Sequence, residues 1–170
     1  FKNISISGMK FEDVNGNGVK DAGDNGLSGW TIALTKDGNA AGTKTTNSDG
    51  NYSFTDLGPG VYGVSEQTQS GWTQTYGNSG YTVTASSGTN STGNDFGNFK
   101  NISISGMKFE DGNGNGVKDA GDNGLSGWTI ALTKGGSANG TKTTGQDGTY
   151  SFTDLGPGVY GVSEQTQSGW

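Results

Sequence analysis

DVNGNGVKDAGD, Asp13 to Asp24, occurs twice in the chain, returning as DGNGNGVKDAGD at Asp111 to Asp122. Oxygen-bearing side chains stand at its first, third, fifth, ninth and twelfth places: Asp13, Asn15, Asn17, Asp21 and Asp24. Gly18 holds the sixth place, and Val19 the seventh, where a backbone carbonyl would serve. This is the spacing of an EF-hand-type calcium loop, in which a hard cation gathers about six to eight oxygens and the chain turns sharply at the glycine. The second copy offers Asp111, Asn113, Asn115, Val117, Asp119 and Asp122. Asp24 and Asp122 replace the usual bidentate Glu, and the shorter arm weakens the site or leaves one position to water. The competing reading is a polar Asn-Gly loop that merely joins two strands, since such dipeptides turn readily. Five matched oxygen positions and the glycine, kept in both copies, favour Ca2+.

The loop's surroundings carry strand signals. SISGMKF (Ser5 to Phe11) precedes it, and in GLSGWTIALT beyond it Trp30, Ile32 and Leu34 share one face at period two. Lys36 to Gly42 reads as a turn, Thr43 to Thr46 as a strand, and Ser48 to Asn51 as a hairpin turn leading to Tyr52 and Phe54 on one face. Asp56 to Gly60 is a tight turn. After it Tyr62 and Val64 lie opposite Val61 and Gly63, and Gly71 to Tyr76, Tyr81 to Ala85 and Asn94 to Phe99 complete the unit. About seven short strands without a helix predict an all-β chain of antiparallel β-sandwiches. The aromatics Trp30, Tyr52, Phe54, Tyr62, Trp72 and Phe96 read as core and core rim rather than a sugar-stacking face.

Residue n matches residue n+98 without a gap from Phe1/Phe99 to Trp72/Trp170, with differences only at 14/112, 37/135, 39/137, 41/139, 47/145, 48/146 and 51/149. Near-identity at a domain-sized period means tandem domains, 1–98 and 99–170, rather than a solenoid. The second copy is incomplete, lacking the counterpart of Thr73 to Asn98. It is expected to be a window cut from a longer array. The alternative is that a neighbouring chain donates the missing strand head to tail.

Composition narrows the function. The chain of 170 residues has 34 Gly and neither Cys nor His, so a disulfide framework, a thiolate zinc site and the usual general base are all missing. A net charge of -6 makes nucleic acid an unsuitable partner, and no apolar run reaches membrane-spanning length. Asn-x-Ser/Thr tripeptides at Asn3, Asn51, Asn90, Asn101 and Asn139 are compatible with an extracellular setting.

ISGMKFEDVNGNGVKDAGDNGLSGWTIALT, then TTNSDGNYSFTDLGPGVYGVSE and GWTQT, together resemble the B-repeat domain of the serine-aspartate-repeat adhesins (SdrD-type), which belongs with the Cna B-type domains. The resemblance covers residues 4 to 98 and again 102 to 170, and implies a transthyretin-like sandwich in a calcium-stiffened extracellular stalk, adhesin or filament. The loop is also similar to that of a dockerin. A dockerin follows its loop with a helix and repeats within a few dozen residues, and neither holds here.

Many Cna B-type domains carry a self-formed amide between a Lys on the first strand and an Asn on the last, assisted by a Glu. The matching residues are Lys10, Asn98 and Glu66. Burial would favour the neutral, nucleophilic amine, and a protonated Glu would polarise the carboxamide and move protons to departing ammonia. Lys10 shares a side with Ile6 and Gly8, while Phe11 and Met9 point the other way. The competing reading is a Lys10–Glu66 rim salt bridge with Asn98 in a turn. The second copy has Lys108 and Glu164, but the Asn98 counterpart would lie beyond Trp170. The expected function is therefore structural and not enzymatic, with neighbouring repeats as partners. An adhesive module for glycan or host protein is the alternative.

Overall fold

A computed structural model describes all residues from Phe1 to Trp170. The chain forms strands and no helix, and contacts divide it into units Phe1–Lys100 and Asn101–Trp170. No helix is long and apolar enough to cross a membrane.

The first unit is a sandwich of two four-stranded sheets. One holds β1 (Ile4–Glu12), β4 (Asn51–Leu57), β6 (Trp72–Tyr76) and β8 (Phe96–Lys100), in the order β4-β1-β8-β6. The other holds β2 (Thr31–Lys36), β3 (Asn39–Thr45), β5 (Val61–Glu66) and β7 (Tyr81–Thr84), in the order β3-β2-β5-β7. The period-two residues meet between them. Ile4, Ile6, Tyr52, Phe54 and Phe96 of the first sheet share a core with Ile32, Leu34, Tyr62 and Val64 of the second. Burying one face of each strand fixes its register, because a one-residue slip would turn every core side chain outward.

Three features depart from the sequence reading. The hairpin turn lies at Asp37–Gly38, inside the span read as a longer turn, and β3 starts at Asn39. Both turn residues have positive φ, 50° and 82°, as a two-residue type I′ hairpin requires. The Ser48–Asn51 turn does not make a hairpin: β3 and β4 belong to different sheets, so the chain crosses the sandwich there. Asn47 holds that crossing, its Oδ1 accepting the Asp49 and Asn51 amides at 3.0 and 2.8 Å. Finally, β1 and β8 pair in parallel, Lys10 with Phe96, Phe11 with Gly97 and Glu12 with Asn98. A parallel pair needs a long connection, and the whole intervening unit supplies it.

Gly8 is required where the segment before β8 crosses β1. A Cβ there would stand 2.1 Å from the Asn94 carbonyl oxygen. Asn94 in turn donates from Nδ2 to the Ser7 carbonyl at 3.0 Å, and Asp95 Oδ1 accepts the Met9 amide at 2.8 Å. The segment ahead of β8 is thereby clamped to β1 before the pairing begins.

In the second unit β9 (Ile102–Met107) pairs with β12 (Thr149–Leu155), and β10 (Thr129–Lys134) lies between β11 (Ser137–Thr143) and β13 (Tyr160–Glu164). Ile130, Leu132, Phe152 and Leu155 form its core. It has no strands equivalent to β6, β7 and β8, and the effect on burial is direct. Ile102 is 44% exposed where its counterpart Ile4 is 3% exposed.

Gly8→Ala should destabilise the first unit by about 1–3 kcal/mol, the usual cost of overpacking against backbone that cannot yield. Gly106→Ala meets only the Tyr150 side chain and should cost less. Urea denaturation of the two variants gives the comparison.

Candidate crosslink site and metal loop

Strand parity carries Lys10 into the core. Ile6, Gly8 and Lys10 lie on one side of β1, and the Lys10 side chain is fully buried. Phe11 is buried as well, but on the opposite side, where its ring lies 5.8 Å from that of Tyr76. Gly97 makes that possible, since a Cβ there would come within 2.5 Å of the Phe11 ring. Both faces of β1 are therefore covered at its end, and the parity conflict between Lys10 and Phe11 disappears.

Glu66, at the end of β5, bridges the two sheets. Lys10 Nζ donates to its Oε2 at 2.7 Å, and Asn98 Nδ2 donates to its Oε1 at 2.8 Å. All three side chains are shut away from water. Trp30 covers the ammonium, with Nζ 4.2 Å from the ring centroid, and Trp72 meets Trp30 edge to face at 5.5 Å. Burial pushes Lys10 down from 10.5 to about 8, against the opposing pull of Glu66. Asn98 Oδ1 has no hydrogen-bond partner although buried. An orphaned buried carbonyl costs about 1–3 kcal/mol, so this oxygen is a point of unspent polarity beside the Lys10–Glu66 pair.

The candidate metal loop, a run of oxygen donors, departs from β1 directly after Glu12. Asp13 is fully buried. Its Oδ1 accepts the amides of Gly16 and Asn17 at 2.9 and 3.2 Å, and Oδ2 accepts that of Gly18 at 2.8 Å. Asp24 closes the loop, accepting from Val14 and Asp21 amides at 3.1 and 2.8 Å. Asn15 and Asn17 both donate to Asp21 Oδ2, at 2.9 and 2.8 Å, which holds that carboxyl below its usual range. Their own Oδ1 atoms accept the Asn17 and Val19 amides at 3.0 and 2.8 Å, and the Val19 side chain is exposed. The five oxygen-bearing side chains are brought into one loop, but Asp13, Asp21 and Asp24 do not form a three-carboxylate cluster able to hold a metal. The donor set itself is all hard oxygen, the kind that suits calcium.

The second loop repeats this pattern in a looser setting. Asp111 accepts from Asn115 and Gly116, Asn113 and Asn115 donate to Asp119, and Asp122 accepts from Gly112 and Asp119. Its bond from Gly116 is the main reason that Asp111 is held below the ordinary carboxylate range. Val117 is exposed like Val19. Lys108 meets Glu164 at 2.8 Å and lies 4.4 Å from the Trp128 centroid, yet the pair is open to solvent, 20% and 43% exposed. No residue stands in the place of Asn98.

Two supporting roles had no signal in the sequence pattern. Period two places Trp30 in the core but does not reveal that it covers Lys10. The Asp13 amide donates to the Asn98 carbonyl at 2.8 Å, joining the loop to the strand that carries Asn98, and a parallel pairing of first and last strands had to be seen first.

Tandem β-sandwich modules, each with a loop of oxygen donors after its first strand, are the class that fold and site define. The chain belongs to the SdrD B-like domain family, whose profile matches residues 4–101 and 102–170. It is 37% identical over 179 residues to the serine-aspartate repeat-containing protein D of Staphylococcus aureus (strain Newman), a match covering 98% of this chain and 14% of that protein. It is also 37% identical over 164 residues to the serine-aspartate repeat-containing protein F of Staphylococcus epidermidis (strain ATCC 12228), covering 88% of this chain and 10% of that one. The chain thus spans a small part of the curated relatives it matches. Among solved structures, the Bacillus anthracis TIE protein shares the fold with a TM-score of 0.50 at 18% identity, over 96% of this chain and 28% of that one.

The two Lys–Glu pairs should respond very differently to truncation. In an Asn98→Ala background, which keeps any covalent bond out of the comparison, Glu66→Ala should cost about 3–5 kcal/mol by leaving a buried ammonium unpaired. Glu164→Ala should cost less than about 1 kcal/mol, because its pair is solvated. Denaturant midpoints of the two variants measure the difference.

Proposed function

We propose that this chain is a structural, calcium-binding segment of an extracellular cell-surface stalk, adhesin or filament, with an intramolecular Lys10–Asn98 isopeptide bond in its first unit. The observation that carries the reading is the buried bridge Lys10–Glu66–Asn98, which spans the first strand, the last strand and the opposite sheet. A rim salt bridge would be solvated, as Lys108–Glu164 is; this one is not.

The residues supply each part of the reaction. A proton passed from Lys10 Nζ to Glu66 leaves a neutral amine and a neutral acid together, with no exchange with solvent. A half-turn of the Asn98 carboxamide sets its orphaned Oδ1 against Glu66 Oε1, where the acid proton polarises it. Lys10 Nζ then attacks Asn98 Cγ, Glu66 gives its proton to the carboxamide nitrogen, the C–N bond breaks and ammonia leaves, and the Glu66 carboxylate takes the surplus proton from Nζ, so that a neutral amide and a protonated Glu66 remain. Fixed proximity in a dry site lets a poor electrophile react once, slowly and irreversibly.

The loop residues fit calcium by donor chemistry. A bound cation would relieve repulsion among Asp13, Asp21 and Asp24 and favour the folded unit by mass action. Each loop leads into a strand, so the metal would stiffen the sandwich rather than move helices. Neighbouring repeats are the expected partners. Catalytic turnover forms no part of the proposal. An adhesive glycan module is less well supported, because Trp30, Tyr52, Phe54, Tyr62 and Phe96 are buried and serve the core. Strand donation between copies would appear as head-to-tail oligomers in sedimentation.

The intact mass of the purified chain should be lower than that of its sequence by one ammonia, and Glu66→Ala should restore the full mass. An unchanged mass in a folded sample would contradict the amide. Saturating calcium at about a hundred times its Kd should add about 2.7 kcal/mol to stability. A melting temperature indifferent to chelation would remove the metal from the proposal.

A further inference from the structure

We infer that the metal loop controls the crosslink: a divalent cation bound at Asp13–Asp24 seats β8 on β1 and accelerates formation of the Lys10–Asn98 amide. This rests on the proposed amide and calcium site and concerns how one depends on the other.

The two sites are parts of one short joint. β8 is held to β1 by three register pairs, of which the last is Glu12 with Asn98. The next residue of the loop side is Asp13, whose amide donates to the Asn98 carbonyl at 2.8 Å. One side of this contact is the first oxygen donor of the loop, and the other is the residue whose carboxamide must face Lys10. The loop also rests on the neighbouring strand. A Cβ on Gly18 would stand 3.2 Å from the Thr75 carbonyl of β6, and Thr75 Oγ1 donates to the Gly97 carbonyl of β8 at 3.2 Å. The loop is thus hydrogen-bonded to β8 at its end, through Asp13, and at Gly18 it passes close to β6, the strand that flanks β8.

The second unit shows the same loop sequence without this joint. Its loop differs from the first only at 14/112, but it has no β8 counterpart. There the first donor, Asp111, is not buried as Asp13 is, and the Lys–Glu pair is open to solvent. Burial of the first loop carboxylate and closure of the lysine site thus go together in one unit and are lost together in the other.

Coupling of this kind is reciprocal. A cation that fixes Asp13 favours seated β8, and β8 tied by an amide favours the arranged loop. The order that follows is cation first, bond second, after which the closed unit retains its cation more firmly. The loop after β1 would then report the ionic setting outside the cell to a bond that forms once.

The test uses the full chain made by chemical synthesis and held in urea, so that it has never folded, with a starting mass equal to that of its sequence. It is folded in excess calcium or in chelator, and ammonia loss is timed by intact mass, with the Lys10–Asn98 peptide identified after digestion. Calcium should accelerate the loss at least tenfold. Asp24→Asn, which keeps the side-chain shape and removes a charge from the loop, should be slow even in calcium. Where the chelated chain does not fold, the rate is followed against calcium concentration. A rate rising with the midpoint of the melting-temperature titration supports the coupling, and a rate flat across that titration overturns it. Equal rates in calcium and chelator, in a chain whose melting temperature responds to calcium, overturn the coupling alone. Absence of ammonia loss under every condition overturns it together with the amide, and a melting temperature that ignores calcium overturns it together with the metal site.

Discussion

A lysine ammonium held away from water is the constraint to which the first unit is built. An unpaired charge in that position would be prohibitive, so a carboxylate from the opposite sheet must come within hydrogen-bond distance. Glu66 does so at 2.7 Å, and its other oxygen reaches Asn98. The pairing ties β1 to β5 across the core and places β8 as the third party. Trp30 and Trp72 close the site above the ammonium. The arrangement is expensive for mere stability, since apolar packing would serve as well. The proposed amide would account for keeping this buried pair beside the orphaned carboxamide oxygen of Asn98.

The near-identical second unit makes clear what β8 contributes. Lys108, Glu164 and Trp128 repeat the first three members of the site, and the Lys–Glu distance is almost the same. Solvent nevertheless reaches both charges. Local sequence thus suffices to bring lysine and glutamate together, and seclusion depends on the last strand. The oxygen-donor loop is similarly divided: its internal Asn and Asp bonds form in both units, while burial of the first carboxylate is found only where β8 lies against it.

Much of this was legible in the residues. Period-two alternation identified the core members Ile6, Ile32, Leu34, Tyr52, Phe54, Tyr62 and Val64, because a strand with one buried face leaves that mark. Lys10, Glu66 and Asn98 came from resemblance, and parity placed Lys10 beside Ile6. The sheet assignment of β3 and β4 was not legible, since an SDGN turn looks the same whether the chain folds back or crosses to the other sheet. Parallel pairing of β1 with β8 was equally hidden, for no local pattern records a partner so distant in sequence. Asp95 was missed because its role, accepting the Met9 amide, belongs to that long-range contact.

Stretching single molecules from their ends distinguishes a covalently tied first unit from an untied one, because an amide between Lys10 and Asn98 removes the 98 − 10 = 88 residue steps between them from the extensible length. Those steps would otherwise release about 300 Å on unfolding. The prediction is a chain that lengthens by what the second unit and the ends provide, and in which Glu66→Ala restores the missing length. Full extension of the unaltered chain would contradict the covalent tie.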